Sequence, residues 1–268
     1  MNRLADLVAI VTGAGKGIGR GIALNLAREG ASVVVADIDY AAADNVRKEL
    51  PVHGARGLAV EVDVTNRDQV IELVHRTLQT FGRIDILVNN AGVHGIGRVA
   101  ELDEDVWDRC FNINVKGIYL CCKHVIPHMT KQRHGKIVNI ASIGGKTGVA
   151  GRAAYCSSKF AIVGLTQVLA KELGPCNINV NAVCPGFVYT EMWDYIWDKT
   201  KAGKTVDVYE IEAASSKEFY DKIIKQRVPL GRPQTPEDIG KAVVFLVSND
   251  ADNITGQAIN VCGGMEVH

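Results

Sequence analysis

Tyr155 and Lys159 stand four residues apart in the stretch AAYCSSKF, just after the glycine-rich run SIGGKTGVAG. On a helix this spacing puts a phenol and an ammonium on one face, about one turn apart. A free phenol has a pKa of ~10, too high for a base near neutrality, and a neighbouring cation favours the phenolate. Such a pair could pass a proton to or from an oxygen, the task that accompanies reduction of a carbonyl or oxidation of an alcohol. Taken alone, a tyrosine and a lysine at this distance are an ordinary helical pair. The chemical reading depends on what else the chain brings to them.

A second chemistry-bearing stretch is TGAGKGIG, with Gly13, Gly15, Gly17 and Gly19 placed where an apolar β-branched run gives way to a helical pattern. Glycine there permits left-handed backbone and close approach of a ligand. The N-terminus of the following helix offers N–H groups and a positive dipole end to a pyrophosphate. Asp37 lies 18 residues beyond Gly19, at the end of the next apolar run. That is close to the spacing at which a carboxylate accepts bonds from an adenosine ribose. Strand, loop, helix and acid together indicate a dinucleotide site. The carboxylate also repels a 2′-phosphate and so selects NAD over NADP. Lys16, a cation beside the loop, is the opposing feature, and contact repulsion outweighs one flexible lysine.

These residues need a scaffold that brings distant segments together. Short apolar runs at 8–13, 32–37, 57–64, 84–92, 135–142, 177–186 and 256–264 read as strands, separated by segments of helical period. Continuous apolar strands alternating with helices imply a parallel sheet covered on both faces. The expected fold is α/β: a doubly wound Rossmann fold of seven parallel strands in a single domain over 1–268, with right-handed crossovers. One region breaks the rhythm. Residues 193–226 are polar and charged, yet carry Trp193, Tyr195, Trp197, Tyr209, Phe219 and Tyr220. Disordered segments are poor in aromatics, so a helical substrate flap over about 190–228 is expected.

Composition bounds the alternatives. Lys plus Arg and Asp plus Glu both number 30, and zero formal charge gives no electrostatic reason to expect nucleic acid or a membrane surface as partner. There is no continuous apolar run of 18 residues, and the N-terminus lacks the anatomy of a cleavable signal, so a cytoplasmic location is expected. Seven scattered cysteines without CxxC spacing argue against a disulfide frame or a metal site, and Cys121-Cys122 reads as a pair of buried helical thiols.

The ordered set TGAGKGIG, DVT (63–65), NNAG (89–92), NVKG (114–117), Ser142, YCSSK (155–159) and PGFVYT (185–190) resembles the short-chain dehydrogenase/reductase family across essentially the whole chain. The resemblance implies a catalytic tetrad of Asn114, Ser142, Tyr155 and Lys159. In it, Lys159 would also hold the nicotinamide ribose, Ser142 would hydrogen-bond the reacting oxygen, and Asn114 would hold a water. It further implies NAD contacts at Gly13, Gly15, Lys16, Gly17, Ile18, Gly19, Asp37, Ile38, Asp63, Val64, Asn90, Ala91, Gly92, Tyr155, Lys159, Pro185, Gly186, Val188 and Thr190. Substrate would meet Ser142, Tyr155, Gly144, His94, Gly186 and Trp193. The bland alternatives are that Asp63 caps a turn, Asn89 and Asn90 bridge strands, Trp193 and Trp197 pack the flap, and Cys156 is packing.

The flap and the endings VPLGRPQTPEDIG and TGQAINVCGGMEVH look most like the polyol branch of the family, with its sorbitol-type and meso-2,3-butanediol dehydrogenases. That likeness implies NAD-linked oxidation of a small polyol or vicinal diol to the ketone, in a homotetramer. The rival enzyme is a 3-oxoacyl-[acyl-carrier-protein] reductase using NADP. The rival of another class is an NAD-binding sensor without turnover. Lys199, Lys201 and Lys204 in the flap leave a phosphorylated substrate open.

Overall fold

The computed structural model describes residues 2–50, 56–201 and 211–268. Tyr209 and Lys204 lie outside the described residues. Seven strands, β1 (Val8–Thr12), β2 (Ser32–Asp37), β3 (Gly57–Glu61), β4 (Ile86–Asn89), β5 (Gly135–Ile140), β6 (Ile178–Pro185) and β7 (Ala258–Val261), form one sheet in the order β3-β2-β1-β4-β5-β6-β7. All six pairings are parallel. The expected doubly wound sheet is therefore present, with β7 at an edge.

Successive strand residues point to opposite faces, and here both faces are apolar. Ile10, Val34 and Leu87 enter one buried cluster with α3 (Arg67–Phe81), α5 (Gly117–Gln132) and α6 (Ala153–Leu173). Their neighbours Ala9, Val11, Val33, Val35, Ile86 and Val88 enter a second with α1 (Gly17–Arg28), α2 (Tyr40–Glu49) and α9 (Pro236–Val247). Polar ties cross the sheet between these layers. The Asp85 carboxylate accepts the Val8 N–H at 2.9 Å, and Asn89 Nδ2 donates to Asn139 Oδ1 at 2.9 Å between paired residues of β4 and β5. Lys136 Nζ donates to its partner Asn179 at 2.9 Å, and Asn181 Oδ1 accepts from Gln257 N at 3.0 Å.

The described parts of the flap are largely helical, as its aromatics suggest. Helices α7 (Glu191–Lys201) and α8 (Ser216–Arg227) share a third apolar cluster, containing Phe187, Trp193, Ile196, Phe219, Tyr220, Ile223 and Ile224. Trp193 packs edge-on against Phe187 and Tyr220, with centroids at 5.0 and 4.9 Å, and its Nε1 donates to the Val188 carbonyl at 3.0 Å. Trp193→Ala should lower stability by about 3 kcal/mol, as truncation of a buried aromatic usually does, and urea unfolding followed by circular dichroism measures it.

Residues 153–176, α6 and the turn after it, are by length and a mean hydropathy of 1.2 apolar enough to cross a membrane. The reason lies in the fold: α6 carries core residues Ile162, Leu169 and Leu173 onto the sheet, and interior helices share the composition of spans. Cys121 and Cys122 are buried thiols, and burial pushes Cys122 up to about 12. The cysteines among the described residues are free.

Candidate active site

Strand order reverses between β1 and β4, and at such a point the carboxyl ends of parallel strands open a crevice. A cleft of about 1390 Å³ lies there. It is lined by every residue expected to touch cofactor or substrate except Gly15, while Asn114 lies wholly buried behind it.

The glycine loop turns as β1 ends. Gly13 and Gly17 have φ of +62° and +54°, which favours glycine. A Cβ on Gly19 would sit 2.1 Å from the Gly13 carbonyl oxygen, so the loop closes on the helix only with glycine there. Helix α1 then begins at Gly17 with Lys16 before it, no side-chain cap and no acid in its first turn. Its leading N–H groups and dipole thus face the cleft as anion-binding donors. Gly15 serves differently: its N–H donates to Asp37 Oδ2 at 2.8 Å, while Asp39 N donates to Asp37 Oδ1 at 3.0 Å. Asp37 is therefore fixed beside the loop, with exposed Ile38 next to it.

Behind the loop, Asn90 is a brace. Its Nδ2 donates to the carbonyls of Thr12 and Gly13, both at 2.9 Å, and Thr12 Oγ1 accepts from the N–H groups of Asn90 and Ala91. Asp63 Oδ1 accepts from the N–H and hydroxyl of Thr65, so this acid caps a turn while lining the cleft. Val64 packs where a Cβ on Gly117 would meet it at 2.7 Å. Thr190 reaches over the loop, its Cγ2 3.4 Å from a Cβ built on Gly17. Gly186 is packed tightly, since a Cβ would meet Gln234 Oε1 at 2.6 Å.

Helix α6 presents Tyr155 and Lys159 to the end of β5. Lys159 Nζ donates to the Ile140 carbonyl at 2.8 Å and lies 5.7 Å from the Tyr155 ring centroid. Ser142 follows β5, and its Oγ accepts from Gly144 N at 3.1 Å. Burial pushes the Tyr155 phenol up, while hydrogen bonding to Ser142 and the charge of Arg152 pull it back. Burial also lowers Lys159 to about 8. The expected lowering of the phenol by Lys159 is thus not what dominates: both groups leave water together, and desolvation disfavours both charges.

Asn114 sits in a π-helical turn, Asn112–Lys116, between α4 (Glu104–Phe111) and α5. Its amide is engaged at both ends: Oδ1 accepts from Val93 N at 2.8 Å, and Nδ2 donates to Val93 O and Ser158 Oγ, both at 3.0 Å. The side chain therefore ties the turn before α5 to the segment after β4 and to α6, as a buried amide needs partners at both its ends. Cys156 is buried packing against the site, its thiol pushed up by burial. His94 lies flat on Tyr155, with ring centroids 4.0 Å apart at 7°.

Residues 7–201 match the family described as short chain dehydrogenase. The chain belongs to the short-chain dehydrogenases. It is an oxidoreductase of a family that works with nicotinamide cofactors. Over 99% of its length it is 38% identical to the whole 3-oxoacyl-[acyl-carrier-protein] reductase FabG of Thermotoga maritima. An NAD+-bound xylitol dehydrogenase superposes with a TM-score of 0.88 at 33% identity, over 97% of this chain and 99% of that one. A single-substitution variant of the actinorhodin polyketide ketoreductase, with NADPH, superposes at 0.89 with 37% identity, over 98% of each chain.

In this short-chain dehydrogenase three groups escaped the sequence reading. Thr12 braces the loop, but a threonine ending a strand carries no signal of that. Arg152 lines the cleft three residues before Tyr155, and helical spacing could have found it. The carboxyl-terminal Met265 and Glu266 also line it, brought there from the far end of the chain by β7.

Proposed function

We propose that this short-chain dehydrogenase interconverts a small secondary alcohol and its ketone with NAD. The observation that carries the reading is the half-buried Tyr155 phenol, faced by Ser142 and with the Lys159 ammonium over its ring, in the same cleft as the glycine loop and Asp37. The residues present fit a dinucleotide: uncapped N–H donors at the start of α1 suit a pyrophosphate, and the fixed Asp37 carboxylate suits a ribose diol. When bound, the nicotinamide supplies the exchange of hydride. The protein's part is the proton. Tyr155 gives it to, or takes it from, the reacting oxygen, and Ser142 Oγ hydrogen-bonds that oxygen. Lys159 keeps a positive charge beside the phenolate and would hold the nicotinamide ribose hydroxyls. Asn114 keeps β4, α5 and α6 in register behind them.

NAD is favoured over NADP because a 2′-phosphate would meet a carboxylate whose two oxygens already serve the backbone. Asp37→Asn preserves an acceptor for the Gly15 N–H and removes the charge. It should shift the NAD-to-NADP ratio of kcat/KM towards NADP by roughly 10²-fold, a few kcal/mol of lost repulsion. Steady-state rates with the two cofactors measure this; an unchanged ratio would remove Asp37 as the selector.

For the substrate, likeness to the xylitol dehydrogenase supports the small polyol or vicinal diol expected from the sequence. A second reading, reduction of a 3-oxoacyl thioester, is favoured by the FabG relative. A panel of polyols, 2,3-butanediol and 3-oxoacyl thioesters, each run with both cofactors, separates them. Preference for a thioester with NADPH would replace the first reading, and no turnover of any member would leave only a nucleotide-binding role.

A further inference from the structure

The chain between β4 and α4 is clamped at successive residues. Val93 is tied at both its N–H and its carbonyl to the Asn114 amide, at 2.8 and 3.0 Å. Gly97 N donates to the Gly151 carbonyl at 2.9 Å, and Gly97 pairs with Arg152 in a parallel bridge. Between these ties, a Cβ built on Gly95 would stand 3.0 Å from the Ala154 Cβ, so the backbone there is pressed against the first turn of α6. Ile96 is buried in the apolar cluster of the flap.

What this clamped stretch brings to the site is the His94 ring. It lies flat on Tyr155, with ring centroids 4.0 Å apart at 7°, and lines the cleft while only 9% exposed. Its Nδ1 is closed off from solvent, so that nitrogen is not offered to a ligand. Burial first, then the charges of Arg152 and Lys159, hold His94 well below the usual histidine range, so the stacked ring is a neutral imidazole. A flat ring at this distance shields one face of the phenol from water and restricts rotation of the phenol about its Cβ–Cγ bond. The other groups that act on the phenol are Ser142 after β5, Arg152 and Cys156 at the start of α6, and Cys110 on α4, with Lys159 Nζ 5.7 Å from the ring centroid.

We propose that His94 is a positioning residue for proton transfer: a flat plate, held by its clamped backbone, that keeps one face of the Tyr155 phenol dry and the hydroxyl aimed at the reacting oxygen. In this role His94 acts through Tyr155 and need not touch the substrate. The proposal rests on Tyr155 as the acid and base, and deepens that reading. Burial is the first cause that raises the phenol. Removing the cover therefore lets water solvate the phenolate and lowers the pH at which it forms. A ring left free to turn is also less often at the geometry of transfer, and small misplacements of reacting groups cost much rate.

The test titrates Tyr155 in the complex with NAD, by phenolate ultraviolet absorbance taken as the difference from the Tyr155→Phe protein. His94→Ala should bring the ionisation down by about one pH unit. It should also lower kcat roughly 10-fold, with KM kept within about three-fold, for whichever member of the panel above turns over fastest. His94→Phe keeps a flat ring without either nitrogen, and should restore the titration and most of kcat. His94→Leu fills the space without a flat face and should restore neither. An unmoved titration in His94→Ala, or leucine serving as well as phenylalanine, overturns the proposal. A rise in KM shared by the alanine and phenylalanine variants, with kcat kept, would make His94 a substrate contact and overturn it too. Full turnover in Tyr155→Phe would instead sink the acid–base reading, and with it the role given to His94, whatever the titration shows.

Discussion

Replacing Tyr155 by phenylalanine is expected to lower kcat by about 10³-fold while leaving the affinity for NADH within about two-fold. The change removes one oxygen and keeps the ring, so the stack on His94 at 4.0 Å and the Lys159 contact at 5.7 Å survive. What disappears is the group that gives or takes the proton, and a general acid or base of this kind contributes on the order of 10²–10⁴-fold. The phenol is pushed up by burial and drawn back by Ser142 and Arg152, so alcohol oxidation should accelerate with rising pH until the phenol has ionised, a limb absent from the phenylalanine variant. Stopped-flow rates and a fluorescence titration of NADH separate the two effects. A variant that keeps a tenth or more of the wild-type kcat would remove Tyr155 from the chemistry.

Lys159→Met is expected to abolish most activity and yet stabilise the protein without its cofactor. Burial lowers this lysine from the usual 10.5 to about 8. A base whose pKa falls on folding binds protons more weakly in the native state, so stability rises with pH between those two values. The penalty is full below about pH 8 and is relieved as pH climbs towards 10.5. The gap corresponds to about 3 kcal/mol, and losing the hydrogen bond to the Ile140 carbonyl offsets about 1 kcal/mol of it. The methionine variant should therefore gain about 2 kcal/mol at pH 7 and lose that advantage by pH 10, while kcat/KM drops by roughly 10²-fold or more. Urea midpoints at the two pH values check the first part. A variant destabilised at pH 7 would mean that the ammonium is held more favourably than its burial indicates.

Much of this was legible in the sequence. All seven strands could be placed because β-branched apolar runs covered on both faces look alike wherever they occur. Their ends were less legible. The run at 84–92 reads as one strand, but β4 stops at Asn89 because Asn90 and Ala91 turn away to brace the glycine loop. The glycine loop and Asp37 were readable since backbone geometry at Gly13 and Gly17 demands glycine. The tie that Asn114 makes was not, because a π-helical turn leaves no mark in residue order and its amide partners come from two distant segments. Nor could spacing alone reveal that Tyr155 and Lys159 lose their water together. Arg152 was visible in the letters and unread, because its meaning depends on the wall it joins.

A sheet clothed in hydrocarbon on both sides has a particular vulnerability. Sliding a strand by one residue exchanges its two faces, and here the exchange would swap one oily surface for another, so greasiness by itself scarcely penalises the error. Correct alignment must come from groups that are intolerant of displacement: the Asp85 carboxylate on Val8, the Asn89–Asn139 pair, Lys136 on Asn179 and Asn181 on Gln257. A slip of one place would move Ser142 about 3.3 Å relative to Asn90, farther than any hydrogen bond stretches. The interior asparagines are thus the vernier by which the proton-handling residues, borne on different strands and helices, come to meet at one carbon.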